Sequence, residues 1–80
     1  MNRPVARGPR SSPAATFGRA LAQERQRQAK SMNTLAQIAG TQASEISRLE
    51  RGLRDPRLST MVRVAEALDV SLSGMVDEIG

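Results

Sequence analysis

Apolar residues recur at helical spacing from residue 17 to the end of the chain. Phe17, Ala20 and Leu21, continued by Glu24 or Arg25, form one stripe and predict a helix over about 17–29. Met32, Leu35, Ala36 and Ala39 predict a second over about 32–39, with Ser31 placed to cap it. Gly40 follows at a position that favours a left-handed residue. A third helix, about 42–51, turns Ile46 and Leu49 inward and stops at Gly52. Asp55-Pro56 marks a loop, because the residue before proline is pushed out of helical geometry. Met61, Val64, Ala65 and Leu68 predict a fourth helix over about 59–68, and Leu72, Met75, Val76 and Ile79 a fifth over about 72–79. Alternating β-branched runs are missing, and Ala, Leu, Arg, Gln and Glu dominate, so the expected fold class is all-α. Residues 1–16 carry Arg3, Arg7 and Arg10, three prolines and no acid, with almost no large apolar residue. Such a segment cannot offset its ordering entropy by burial and is expected to be a disordered arm.

The chain's 80 residues suffice for one small domain, expected over 17–80. Its formal net charge of +4 hides a split. Residues 17–57 hold eight basic and four acidic groups, whereas 58–80 hold Arg63 against Glu66, Asp69, Asp77 and Glu78. A basic front and an acidic back point to an anionic partner at the front. The chain has no Cys and no His, which excludes disulfides, thiol nucleophiles and the commonest metal ligands and general bases. Phe17 is its one aromatic residue, too few for stacking bases of a single strand. The carboxylates are scattered or terminal, so no acid–base pair assembles; neither an enzyme nor a cofactor or metal is expected. No apolar run is long enough for a signal peptide or membrane span, and the chain reads as soluble and intracellular.

Two short helices joined through Gly40 outline a helix-turn-helix. Ala36 and Gly40 are small where two helices would cross closely. The pattern Leu35-Ala36-x-x-Ala39-Gly40 runs on to Ile46-Ser47-Arg48-Leu49-Glu50-Arg51-Gly52. After Pro56 come Met61-x-x-Val64-Ala65 and Ala67-Leu68-x-Val70-Ser71-Leu72. Over about 17–79 the sequence resembles the phage-repressor helix-turn-helix family, the lambda-repressor-like, Cro-like or xenobiotic-response-element group. The resemblance implies a five-helix DNA-binding domain whose third helix enters the major groove.

By that resemblance Ala43, Ser44, Ser47 and Arg48 sit where the family reads base edges. Arg48 is the strongest reader, since its planar fork matches guanine O6 and N7. Gln42 stands where the family often has a Ser or Thr cap; Gln caps poorly, so Thr41 is expected to cap, freeing Gln42 for a phosphate or a base. Glu45 is an anion near the DNA face, either tolerated at its edge or repelling wrong sequences. Asn33 and Thr34 open the second helix, whose N-terminal amides suit a phosphate oxygen. Met32 replaces the Gln often found there. Arg51, Arg54 and Arg57 cluster around the loop that, in the family, follows the DNA backbone. The lesser alternative for Arg48 and this loop is solvated surface charge. Arg25 and Glu50 have the spacing of a buried ion pair known in the family. Glu24 and Lys30 stand where apolar residues are usual, which predicts looser packing of the first two helices. The arm is either a solvated leader or a basic strand ordering along a groove.

The implied function is a sequence-specific double-stranded DNA-binding regulator, a repressor or autoregulator. Its setting would be a bacterial or phage-infected cytoplasm, on the nucleoid. So small a domain makes few base contacts, and the expected solution is a homodimer on a pseudo-palindromic operator. Leu58, Val62, Leu72, Val76 and Ile79, on the acidic back, are the candidate interface. The alternative is an antitoxin-like or coactivator-like module that binds another protein through the last helix.

Overall fold

A computed structural model of the chain describes residues 12–76. Five α-helices follow one another: α1 Pro13–Arg27, α2 Met32–Ala39, α3 Ala43–Glu50, α4 Leu58–Ala67 and α5 Leu72–Val76. No strand occurs among the described residues. No helix among the described residues is long and apolar enough to cross a membrane.

The first helix begins at Pro13, four residues before the apolar stripe predicts. Ser12 Oγ accepts the Ala15 N–H at 3.1 Å, and Pro13 occupies the first turn, where its missing N–H is harmless. Proline read as a mark of disorder is here a helix starter. Ala14 and Thr16 are buried, so residues 12–16 belong to the folded domain and not to the arm. The rest of the arm, 1–11, lies outside the described residues, as do the last residues of the expected 72–79 helix, including Ile79.

The helix ends are set by left-handed residues. Gly40 has φ 74° and ψ 35°, with the Thr41 N–H donating to Ala36 O at 2.9 Å. A side chain at Gly40 would meet nothing within 4 Å, so Gly40 serves the turn and not a close helix crossing. Ser31 Oγ accepts the Thr34 N–H at 3.0 Å and starts α2. At α3, Gln42 is the N-cap residue and makes no side-chain capping bond; Thr41 does not cap either.

Phe17, Leu21, Leu35, Ile46, Leu49, Val64 and Leu68 are the large, fully buried side chains. They join Ala36, Ala39, Ala65 and Met75 in one core. Helix α1 packs on α3 and α5, α2 on α3 and α4, and α4 on α5. The close crossing lies between α1 and α3. A Cβ at Gly18 would collide with the Leu49 carbonyl oxygen and lie 2.8 Å from that of Glu50. One at Gly52, whose φ is 68°, would lie 2.9 Å from Ala15 Cα.

The same crossing carries an ion pair. Arg25 Nε donates to Glu50 Oε2 at 2.5 Å, and Nη2 to Oε1 at 3.1 Å. Nη1 donates to Lys30 O at 2.9 Å, tying in the α1–α2 connection. The side chains are only 12% and 7% exposed, so the bidentate geometry works at low dielectric. The hydrogen bond from Arg25 to Glu50 pushes the Arg25 guanidinium pKa up.

As Glu24 and Lys30 predict, α1 and α2 touch little; the end of α1 is tied to α4 instead. Gln28 Nε2 donates to Glu24 Oε2 at 2.7 Å and to Leu68 O at 2.6 Å, while Lys30 Nζ donates to Gln28 Oε1 at 2.5 Å. Hydrogen bonds from Arg27, then Gln28, hold the Glu24 carboxyl below its ordinary pKa. A polar network therefore joins α1 to the end of α4 where apolar packing is usual.

Two stability effects follow. Gly18→Ala should lower unfolding free energy by about 1–3 kcal/mol, the overlap with backbone outweighing alanine's better helix propensity. Urea unfolding no weaker than wild type would refute the close crossing. Glu50→Ala, which strands the Arg25 charge, should cost roughly 3–5 kcal/mol, and Arg25→Met with Glu50→Leu should recover much of that loss. A double variant no more stable than Glu50→Ala would show that the loss is packing and not an unpaired charge.

Candidate nucleic-acid interface

Burial of Ile46 and Leu49 fixes which side of α3 faces water. Gln42, Ser44 and Arg48 are exposed there, and Ala43 and Ser47 are half-buried. Two hollows flank this face and meet at Thr41 and Gln42.

The hollow of about 470 Å³ lies towards α2 and is lined by Asn33, Thr34 and Gln37 together with Ala43. Ser31 caps Thr34, but the N–H groups of Met32 and Asn33 have no acceptor among the described residues. With the positive end of the helix dipole they suit an anion.

The other hollow, about 660 Å³, runs between α3 and the loop leading into α4. Ser44, Glu45 and Arg48 line it from α3, and Arg54, Asp55 and Arg57 from the loop. Thr60 and Arg63 close it from α4. Four guanidinium groups thus face two carboxylates. Glu45 Oε1 lies 3.6 Å from Arg48 Nη1 and 3.8 Å from Arg54 Nη1. Arg57 and Arg63 form no ion pair among the described residues. Arg51 is exposed at the C-cap of α3 and lies outside both hollows, as does Ser47.

Sequence reasoning missed Thr60 and Arg63 and assigned Arg63 to the acidic back. The structure turns it to the basic side. The signal was present in the spacing: Arg57, Thr60 and Arg63 are three apart, which stacks them along one side of a helix beginning at 58.

Of the proposed interface residues, Leu58, Val62 and Leu72 line neither hollow. Leu58 is 65% exposed at the start of α4. Val62 is half-buried and outside the core cluster. Leu72 packs against the core, so only part of it is free for a partner. Val76 ends α5 as described. Ile38 and Leu53, 55% and 63% exposed, are large apolar surface residues that the helical pattern did not single out.

Comparison with known proteins agrees with this architecture. A helix-turn-helix family model matches residues 21–75. No curated protein matches the sequence. The restriction-modification controller protein C.AhdI from Aeromonas hydrophila is 31% identical, with a TM-score of 0.75, over 78% of this chain and 94% of that one. The clp gene regulator ClgR from C. glutamicum is 24% identical, with a TM-score of 0.81, over 85% of this chain and 88% of that one. A hypothetical transcription factor, NHTF from Neisseria, is 22% identical, with a TM-score of 0.78, over 91% and 84%. The last two share the fold; the family match over residues 21–75, together with the likeness to the controller protein, places this chain in the helix-turn-helix family.

Proposed function

We propose that the protein is a sequence-specific double-stranded DNA-binding transcriptional regulator, a repressor or autoregulator. It inserts α3 into the major groove and acts as a dimer on a pseudo-palindromic operator. The observation that carries this reading is the basic hollow along the exposed side of α3, which gathers Arg48, Arg54, Arg57 and Arg63. Membership of the helix-turn-helix family supports the DNA-binding part, and likeness to a restriction-modification controller supports the regulatory part.

In this reading Arg48 reads a guanine through its fork, with Gln42, Ser44, Ser47 and Ala43 supplying weaker base contacts. Arg54 and Arg57 neutralise one strand's phosphates, Arg51 adds charge at the end of α3, and Asn33 and Thr34 hold a phosphate across the groove. Four or five reading side chains specify only a few base pairs. A two-fold dimer doubles the site, with recognition helices about 34 Å apart. Leu58, Val62, the free part of Leu72, Val76 and Ile79 are the surface offered to the second subunit. The site of action is the cytoplasmic nucleoid of a bacterium or of a phage-infected cell.

Selection of bound duplexes from a random pool, followed by sequencing, tests the reading directly by returning a site and its symmetry. Recovery of no enriched duplex would leave a protein-interaction role instead. On the selected site, Arg48→Ala should cost roughly 1–3 kcal/mol and relax one base pair per half-site. Arg54→Ala and Arg57→Ala should weaken all duplexes alike, each shallowing the log-affinity versus log-salt slope by about 1. Equal losses on specific and random duplex for Arg48→Ala would make it a phosphate contact.

The dimer has its own check. Leu58→Glu with Val62→Glu should abolish cooperative loading of the palindrome while leaving the monomer helical. Sedimentation and binding isotherms that still show two subunits loading with unchanged cooperativity would place the interface elsewhere.

A further inference from the structure

Glu45 is the one carboxylate on the reading helix that contacts arginines of the basic hollow. A single oxygen, Oε1, stands 3.6 Å from Arg48 Nη1 and 3.8 Å from Arg54 Nη1. The carboxylate is 24% exposed, the two arginines 44% and 56%. These separations are too long for hydrogen bonds and the arginines are well solvated, so the pairs are weak and exchangeable. Glu45 therefore cannot be explained as a stabilising staple, and it lies outside the hydrophobic core.

We infer that Glu45 is a specificity-determining residue: it discounts binding to phosphate alone. This rests on the DNA-binding reading above. On a random duplex, Arg48 and Arg54 have only phosphates to meet, and Glu45 already neutralises part of their charge. Each phosphate contact must displace the carboxylate, which is then left beside the anionic backbone. At the right site Arg48 has another destination, a guanine edge. There the weak Glu45 contact is exchanged for a bidentate bond to the base, so the carboxylate costs the operator less than it costs a random duplex. The carboxylate penalises the wrong duplex more than the right one, a repulsive element of the kind that specificity requires.

The experiment compares wild type, Glu45→Gln and Glu45→Asp on the selected operator and on random duplex across a salt series. Glu45→Gln should steepen the random-duplex log–log salt slope by about 0.9, equivalent to about eightfold tighter binding at 0.1 M salt. Operator affinity should rise by less than about twofold or fall, so the specificity ratio drops by at least about fourfold. Glu45→Asp keeps the charge and should retain the wild-type salt slope. A purely structural role would instead lower the thermal midpoint of both variants, which should stay unchanged. Equal gains on operator and random duplex, or an unchanged slope in Glu45→Gln, would overturn the inference while leaving the DNA reading intact. Failure of wild type to bind any duplex, even where Glu45→Gln elutes later from heparin, would overturn both.

Discussion

The crossing of α1 over the C-terminal half of α3 is the constraint on which the site depends. Gly18 lets the two backbones approach until the Leu49 and Glu50 carbonyls fill the space a side chain would take. Gly52 repeats the close approach against Ala15 one step further along. Arg25 then clamps the same turn of α3 through both oxygens of Glu50. Leu49 fills the core between these contacts. With residues 49–52 held this way, α3 has no freedom to roll about its axis, and Arg48, next to Leu49 in the chain, must face out. Arg48 is aimed by a scaffold that does not include it.

That scaffold was legible in unequal parts. The apolar stripes located all five helices, because a helix that buries one face leaves a period of 3.6 in the chain. Gly40 and Ser31 were legible as a left-handed stop and a cap, both short-range effects. The start of α1 was not, since Pro13 opens a helix or breaks one depending on whether a cap such as Ser12 precedes it. Gly18 was invisible for a different reason. A glycine within a helical pattern gives no sign of which distant backbone lies against it, so the tightness of the crossing was assigned to Gly40 instead. The Glu24–Gln28–Lys30 network depends on the Leu68 carbonyl forty residues on from Gln28, which no local pattern encodes.

For the site, residue types and spacing marked Arg48, Arg54 and Arg57, and three-dimensional placement added Arg63. Arg63 had been grouped by chain segment with acidic neighbours. Charge summed along a sequence averages over faces that a helix separates, and Arg63 lies one turn from Thr60 on the side facing the hollow. The same averaging obscured Glu45. Read as a formal −1, it only reduces the net charge of the front; with its oxygen near two arginines, it offsets the charge of both Arg48 and Arg54.

α3 is a poor helix by itself. It has eight residues, and Gln42 makes no side-chain capping bond at its start. An isolated helix of that length is marginal in water. Its persistence comes from Ile46 and Leu49 in the core and from the Glu50 pair, all on its inner side. Nothing on its outer side, from Ser44 through Ser47 to Arg48, contributes to a core contact. The contacts that hold the helix and the side chains proposed to read DNA therefore lie on opposite sides of two helical turns. Substitutions on the outer side should have little effect on folding, while those at Ile46 and Leu49 open the core. The start of α3 follows the same division: with no side-chain acceptor at Gln42, its first amides add nothing to the helix's hold, which comes from the inner side alone.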